Sequence, residues 1–143
     1  MNHDAYDDPY IRGILNTVKT IAMVGVSANT SRPSYFAFKY LHERGYRMIP
    51  VNPSLAGQDL LGQKAYARLA EIPEPIDMVD VFRRTEAAGA VVEDAIAVAA
   101  KVVWMQLGVR DDDAAARGEA AGLEIVMNRC PAIEIPRLGL PHR

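Results

Sequence analysis

The sequence predicts an α/β fold in which helices cover both faces of a doubly wound, mainly parallel sheet of five strands. Apolar strand segments and amphipathic helical segments alternate five times along the 143 residues, which is the pattern of parallel strands joined by right-handed crossovers. The strand segments are nearly continuous in apolar residues, as expected where both faces of a sheet are buried. Residues 21–33 run from a strand through a loop of small residues into a helix. These observations indicate one Rossmann-like domain over residues 1–143, with a core at about 10–138.

The five strands are short apolar runs that end at turn residues. The second run ends at Asn52-Pro53 and the fourth at Gly108, and the third is apolar except for Asp80. Residues 54–64 are rich in turn residues and leave room for a short strand. The expected strands are residues 21–26, 47–51, 78–82, 102–107 and 124–127.

The helical segments follow from apolar residues at helical spacing and from their end signals. Pro33 suits the first turn of a helix, and Gly45 and Gly122 suit left-handed caps. In the helix after the third strand, we expect Ile96 and Ala99 to face the core. The expected helices are residues 10–19, 34–44, 67–72, 86–99 and 111–121, with one turn of helix in the tail at 130–138.

The composition excludes several classes of protein. Half of the residues are hydrophobic and about a quarter are charged, as in a globular domain, and the net charge of −2 gives no basic surplus for nucleic acid. No apolar run approaches a membrane span, and the acidic, polar start of the chain is unlike a signal peptide. The single cysteine, Cys130, excludes an internal disulfide and a cysteine-rich metal site. We therefore expect a cytoplasmic protein with no metal site.

The loop after the first strand has the composition of a phosphate site. Gly25, Ser27, Thr30 and Ser31 are small residues that let backbone N–H groups converge, and the following helix places partial positive charge at the same point. Arg32 adds a fixed positive charge. We therefore expect a nucleotide to bind here.

Arginines follow four of the five strands. Ligands of doubly wound sheets bind at the carboxyl ends of the strands, so these side chains are expected to meet at one rim. A polyanionic ligand is the simplest explanation of that pattern in a slightly acidic protein. The arginines are Arg32, Arg83 with Arg84, Arg110 and Arg129.

The nicotinamide-dinucleotide fingerprint is incomplete. It requires three glycines and, about 20 residues later, a carboxylate for the ribose hydroxyl. Here only Gly25 is present, Ser27 and Thr30 stand in place of the other glycines, and the second strand ends at Asn52-Pro53. These departures disfavour NAD. An NAD(P)-binding oxidoreductase-like domain, in which Arg83 or Arg84 would contact a 2′-phosphate, stays open as the alternative.

Five ordered motifs resemble a known family over about residues 10–140. The chain is similar to the small stand-alone CoA-binding proteins (the YccU-like group), which look like the N-terminal CoA-binding domain of succinyl-CoA synthetase alpha chains. The motifs are Gly25-Val-Ser27, Arg47-Met-Ile-Pro-Val-Asn-Pro53, Val79-Asp-Val-Phe-Arg83, Val103-Trp-Met-Gln-Leu-Gly-Val109 and Asn128-Arg-Cys130.

The resemblance implies a set of coenzyme A contacts at three strand ends. The synthetases carry a lysine where this chain has Ser54-Leu55-Ala56, so one charge contact of the family is missing. The implied phosphate contacts are Gly25, Val26, Ser27, Thr30, Ser31 and Arg32. Those at the adenosine end are Asn52, Pro53 and Ser54, and those along the nucleotide are Val81, Phe82, Arg83, Arg84 and Thr85.

Catalysis is not expected. The synthetases that the chain resembles add a second domain with a phosphorylated histidine, which this chain lacks, and no histidine of this chain follows a strand. Cys130 lies between Arg129 and Pro131 but has no histidine placed as its base, so we interpret it as a structural cysteine. Trp104 lies inside the fourth strand and is expected to pack in the core.

The leading hypothesis is therefore non-catalytic binding of coenzyme A or an acyl-CoA, with Arg32, Arg83 and Arg84 neutralising its phosphates. The oxidoreductase-like domain is one alternative, and a regulatory subunit that senses CoA for a protein partner is another. The sequence alone does not distinguish simple CoA binding from a CoA-sensing regulatory subunit, and a homo-oligomer is compatible with both.

Overall fold

A computed structural model describes residues 1–143 and confirms the predicted fold class. The main sheet contains five parallel strands, and a small antiparallel hairpin follows its second strand. The strands are β1 (Thr20–Val24), β2 (Arg47–Val51), β3 (Asp59–Leu60), β4 (Gln63–Lys64), β5 (Met78–Val81), β6 (Val102–Met105) and β7 (Glu124–Val126). The helices are α1 (Asp8–Thr17), α2 (Pro33–Glu43), α3 (Thr85–Ala97), α4 (Asp112–Ala120) and α5 (Pro131–Leu138), with 3-10 turns at Pro53–Leu55 and Leu69–Glu71.

The order of the strands places a crevice between β1 and β5. The sheet runs β2-β1-β5-β6-β7, so the chain first winds outward from β1 to β2 and then returns to the other side of β1. In the register, Ile21 lies opposite Met48 on one side and Met78 on the other. Ligands of such sheets bind where the winding direction reverses, outside the carboxyl ends of the strands. The segments after β1 and β5 therefore border the expected site.

The two faces of the sheet form separate halves of the core. Alternate residues of a strand point to opposite faces, so Ala22 and Val79 pack towards α3 and α4, while Met23 and Trp104 pack towards α1, α2 and α5. Trp104 is completely buried, and its indole N–H donates to the carbonyl oxygen of Arg129 at 2.9 Å. Its predicted place in the core is confirmed.

Several element ends differ from the sequence prediction. β1 ends at Val24 because Gly25 has a φ of +91°, which breaks the strand conformation. α3 ends at Ala97, and Ala99 is exposed with a φ of +57°, so its predicted core position was wrong. The helix expected at 67–72 is only a 3-10 turn, whereas the tail forms all of α5. None of the helices is both long and apolar enough to cross a lipid bilayer.

The N-terminal segment covers the edge strand β7. The Tyr10 hydroxyl donates to the carbonyl oxygen of Ile125 at 2.8 Å and accepts from its N–H at 3.1 Å. The Tyr6 hydroxyl accepts from the N–H of Met127 at 2.9 Å. An edge strand otherwise presents unpaired backbone groups to other chains. These two tyrosines therefore satisfy part of the edge.

Candidate functional site

Gly25 lies where the carboxyl ends of β1, β2 and β5 meet. Its N–H donates to the carbonyl oxygen of Val51 at 2.8 Å. A Cβ at this position would lie 2.1 Å from the carbonyl oxygen of Phe82 and 3.2 Å from Cδ of Arg83. Only glycine allows this approach together with the positive φ. The first loop and the arginine after β5 are therefore in direct contact.

The loop from β1 to α2 is held in shape by its own side chains. The Ser27 hydroxyl accepts from the N–H of Asn29 at 3.0 Å. The Asn29 side-chain oxygen accepts from the N–H of Ser31 at 3.0 Å and from its hydroxyl at 2.8 Å. The N–H of Ser27 donates to the buried hydroxyl of Ser34 at 3.0 Å. The loop is therefore shaped before any ligand binds.

Several backbone N–H groups of this loop are left without a partner in the protein. Those of Val26, Ala28 and Thr30 donate to no protein acceptor. The next residues begin α2, with Pro33 in its first turn and Arg32 at its N-cap in an extended conformation. Unpaired N–H groups beside a helix N-terminus attract an anion. The arrangement is suited to a phosphate group.

A polar pocket of about 360 Å³ opens beside this loop. The phosphate-site residues Gly25, Ser27 and Arg32 line it on one side, and Phe82 lines it on the side of β5. It is lined in all by Gly25, Ser27, Arg32, Pro33, Ser34 and Phe82, and we call it the polar pocket.

A second and larger cavity, of about 640 Å³, adjoins the polar pocket. Pro33 and Phe82 line both cavities, so the two lie side by side at the carboxyl edge of the sheet. Most of the lining of the larger one is hydrophobic. It consists of Pro33, Phe36, Ala37, Phe82, Arg83, Arg84, Gln106, Leu107, Val109, Cys130, Ala132 and Ile133, and we call it the apolar cleft.

The predicted rim of four arginine positions is only half formed. Arg110 pairs with Asp4 at 2.8 Å and Asp112 at 2.7 Å. Arg129 pairs with the buried Glu134 at 3.1 Å, and its guanidinium lies over the ring of Tyr6.

Arg32, Arg83 and Arg84 form no ion pair with the protein, and all three line the cavities. The positive charge available to a ligand is therefore concentrated at the ends of β1 and β5.

Other predicted contact residues have structural roles or lie outside both cavities. The side chains of Val26 and Val81 are fully buried in the core, so a contact of either residue with a ligand has to come from its backbone. The Thr85 hydroxyl donates to the carbonyl oxygen of Gly108 at 3.3 Å and joins the ends of β5 and β6. Thr30 and Ser31 are exposed on the first loop.

The turn after β2 is held by Asn52. Its side-chain nitrogen donates to the carbonyl oxygen of Val26 at 3.0 Å. Its side-chain oxygen accepts from the N–H and the hydroxyl of Ser54 at 3.0 and 2.9 Å. Asn52 therefore holds the turn after β2 against the first loop. Neither cavity is lined by Asn52, Pro53 or Ser54.

A buried acid lies under the apolar cleft. Asp80 is completely buried, and its Oδ1 accepts from the side-chain amide of Gln106 at 2.6 Å, while Oδ2 has no partner. Burial raises the pKa of Asp80 to about 7, and the hydrogen bond from Gln106 opposes that rise only in part. Gln106 itself lines the cleft. The only sequence signal of this pair was an aspartate within an apolar strand.

Cys130 lies at the N-cap of α5 with its side chain against the apolar cleft. Burial raises the pKa of its thiol, the charge of Asp80 adds to that effect, and the backbone N–H groups of Ala132 and Ile133 oppose it. A thiol that stays protonated is a poor nucleophile. No histidine lines either cavity, so Cys130 has no histidine beside it to act as a base.

The sequence reasoning missed the apolar lining of the cleft. Phe36, Leu107 and Ile133 are large hydrophobic residues with 62%, 57% and 51% of their surface exposed. Their positions just after a strand or in the first turn of a helix were the available signal. Leu107 was instead expected to lie in the buried fourth strand.

Comparisons with known proteins agree with this fold. A family model described as a CoA binding domain matches residues 19–136. The uncharacterized protein YneT of Bacillus subtilis is 38% identical over 120 residues, which cover 84% of this chain and 87% of YneT. A hypothetical protein from Pyrococcus horikoshii has a solved structure with a TM-score of 0.90 and 40% identity, and the match covers 96% of each chain.

A larger enzyme shares the fold at low identity. The dinucleotide-forming acetyl-coenzyme A synthetase 1 of Ca. Korarchaeum cryptofilum has a TM-score of 0.66 and 19% identity. The match covers 75% of this chain and 25% of the synthetase. At that identity the likeness concerns the fold alone.

Proposed function

This chain belongs to the CoA-binding domain family, and from that premise we propose that it binds coenzyme A or an acyl-CoA along the carboxyl edge of the sheet without catalysing a reaction. The phosphates occupy the polar pocket and the loop after β1. The pantetheine arm lies in the apolar cleft.

The observation that supports this proposal most strongly is that a polar cavity and a largely hydrophobic cavity lie side by side. Coenzyme A joins a highly charged, phosphorylated nucleotide to a long uncharged arm. The polar pocket offers the amide-rich loop and Arg32, and the apolar cleft offers hydrophobic walls with Arg83 and Arg84 at its border. A ligand with one anionic end and one uncharged end fits that sequence of surfaces.

We propose that no reaction is catalysed because neither Cys130 nor Asp80 is placed to take part in one. Cys130 is the one nucleophilic side chain in the lining of the apolar cleft, and the raised pKa of its thiol keeps it protonated near neutral pH. Asp80 lies beneath the lining rather than in it. Neither group is arranged as a nucleophile beside a base.

The test is a variant in which both unpaired arginines after β5 are replaced, Arg83→Ala with Arg84→Ala. A hydrogen bond to a charged group contributes about 1.5 kcal/mol or more, so losing two should weaken CoA binding roughly 100-fold. Calorimetric titration at one fixed salt concentration measures the affinity.

The matched control removes two positive charges from the other side of the molecule. Arg12 is exposed on α1 and Lys19 is exposed just before β1, at the amino edge of the sheet. The Arg12→Ala, Lys19→Ala variant should bind CoA within about twofold of the parent protein, since exposed distant charges are screened. Equal losses in both variants would contradict a site at the carboxyl edge.

A further inference from the structure

The apolar cleft is more hydrophobic at its mouth than an uncharged pantetheine arm requires. Phe36, Leu107 and Ile133 are, with Met1, the large hydrophobic residues that this chain exposes, and all three line the cleft. They come from three separate elements: α2, the segment after β6, and α5. An exposed patch assembled in this way marks a binding surface.

The patch continues directly from the proposed phosphate site. Pro33 and Phe82 separate the two cavities and line both. A ligand whose phosphates lie in the polar pocket therefore extends past Phe82 into the hydrophobic region. The cleft volume of about 640 Å³ is within the usual range for a small-molecule site.

Apart from Arg83 and Arg84, the cleft is lined by only two residues with polar side chains, Gln106 and Cys130. Gln106 uses one side-chain N–H for Asp80, which leaves its other N–H and its oxygen for a carbonyl or amide of the ligand. Cys130 contributes a thiol, and burial favours its protonated form. A thioester carbonyl next to these groups would be held by a hydrogen bond and would not be attacked by a thiolate.

We infer that the cleft binds an apolar acyl group, so that the preferred ligand is an acyl-CoA rather than free CoA. This inference rests on the proposed function, because the phosphates must occupy the polar pocket for the thioester to reach the cleft. Phe36, Leu107 and Ile133 then form the walls around the acyl chain, and Gln106 orients the carbonyl end.

The test is a titration series with free CoA, acetyl-CoA, butyryl-CoA and hexanoyl-CoA. Each fully buried methylene strengthens binding about fourfold, so butyryl-CoA, which has two more methylenes, should bind roughly 15-fold more tightly than acetyl-CoA. Replacing an exposed wall residue in Ile133→Ser or Leu107→Ser should reduce this dependence on chain length. Free CoA is titrated into each variant for comparison, and its affinity should fall by a smaller factor than that of hexanoyl-CoA, because free CoA has no acyl chain to contact these walls.

Each outcome has a distinct meaning. Equal affinities for free CoA and all acyl-CoAs would overturn the acyl site and leave the CoA site standing. Failure of every member of the series to bind would overturn both. Sedimentation of the parent protein as a dimer that Ile133→Ser dissociates would show that a second copy covers the patch, and would also overturn the acyl site.

Discussion

Asp80 should make this protein less stable as the pH rises from about 4 to about 7. The carboxyl group is completely buried, its Oδ2 has no partner, and the pKa in the folded protein is raised from 3.8 to about 7. The folded state therefore holds a proton that the unfolded chain releases. The stability linked to that proton is fully present below the ordinary pKa of 3.8 and is lost as the pH approaches about 7.

The magnitude follows from the width of that window. Between the two pKa values the free energy of unfolding falls by about 1.4 kcal/mol for each pH unit. From about pH 5 to pH 7, this group should therefore remove roughly 2 to 3 kcal/mol, which is a large part of the stability of a small domain. Above the folded pKa the loss levels off.

The variant Asp80→Asn isolates this contribution. Asparagine has the shape of the protonated acid, keeps an acceptor for the Gln106 side chain, and does not ionise. Urea unfolding of both proteins at a series of pH values measures the difference between their free energies of unfolding. The variant should gain on the parent by roughly 2 to 3 kcal/mol between about pH 5 and pH 7 and little beyond about pH 8.

The control is Asp59→Asn, an exposed aspartate on β3 without an ion pair. Its free energy of unfolding should stay within about 0.5 kcal/mol of that of the parent, because substitutions of exposed side chains usually have small effects. If the free energies of unfolding of the parent and Asp80→Asn changed in parallel with pH, the raised pKa of Asp80 would be contradicted. Asp80 would then already be ionised in the folded protein at low pH.

Two further predictions concern the backbone at Gly25 and the edge at β7. Gly25→Ala should cost more than about 2 kcal/mol by urea unfolding, because the new Cβ adds a 2.1 Å clash with the carbonyl oxygen of Phe82 to the strain of a positive φ. Gly57→Ala, with a similar φ and open space around its Cβ, should cost about 1 kcal/mol, and equal losses would contradict the clash. Tyr10→Phe removes both hydrogen bonds to Ile125 and should cost about 1 kcal/mol, whereas Tyr40→Phe, which breaks no hydrogen bond, should be neutral.

The strands and their order of appearance were predictable because their signal is local. Each strand of a covered parallel sheet is a continuous apolar run, and glycines with a positive φ, such as Gly25, Gly45 and Gly122, mark where elements end. The ends of α3 and β6 were not predictable in the same way. Apolar residues such as Ala99 and Leu107 extend the pattern past the point where the backbone actually turns away.

Only the parts of the site that are formed by residues close together in the sequence could be predicted. The loop from Gly25 to Arg32 is a local arrangement, and its place beside α2 follows from the order of the elements. Pairing between distant residues is not visible in the sequence. Arg110 is paired with Asp4 from the other end of the chain, while Arg129 is paired with the nearby Glu134 of α5, and these ion pairs decide which arginines remain for a ligand.

The apolar cleft depends entirely on tertiary structure. Phe36, Leu107 and Ile133 look like core residues in the sequence, because a hydrophobic side chain is usually buried when it occurs near an element end. The structure brings them together at the surface instead. The hydrogen bond between Asp80 and Gln106 joins two strands in the same way and could not be inferred from either strand alone.

The most direct test of CoA binding is calorimetric titration of the parent protein with CoA, dephospho-CoA and NADP at one fixed salt concentration. We expect that CoA binds, that dephospho-CoA binds more weakly because it lacks the 3′-phosphate available to Arg83 and Arg84, and that NADP binds more weakly than CoA. Binding of NADP without binding of CoA, or binding of none of the three, would contradict this expectation.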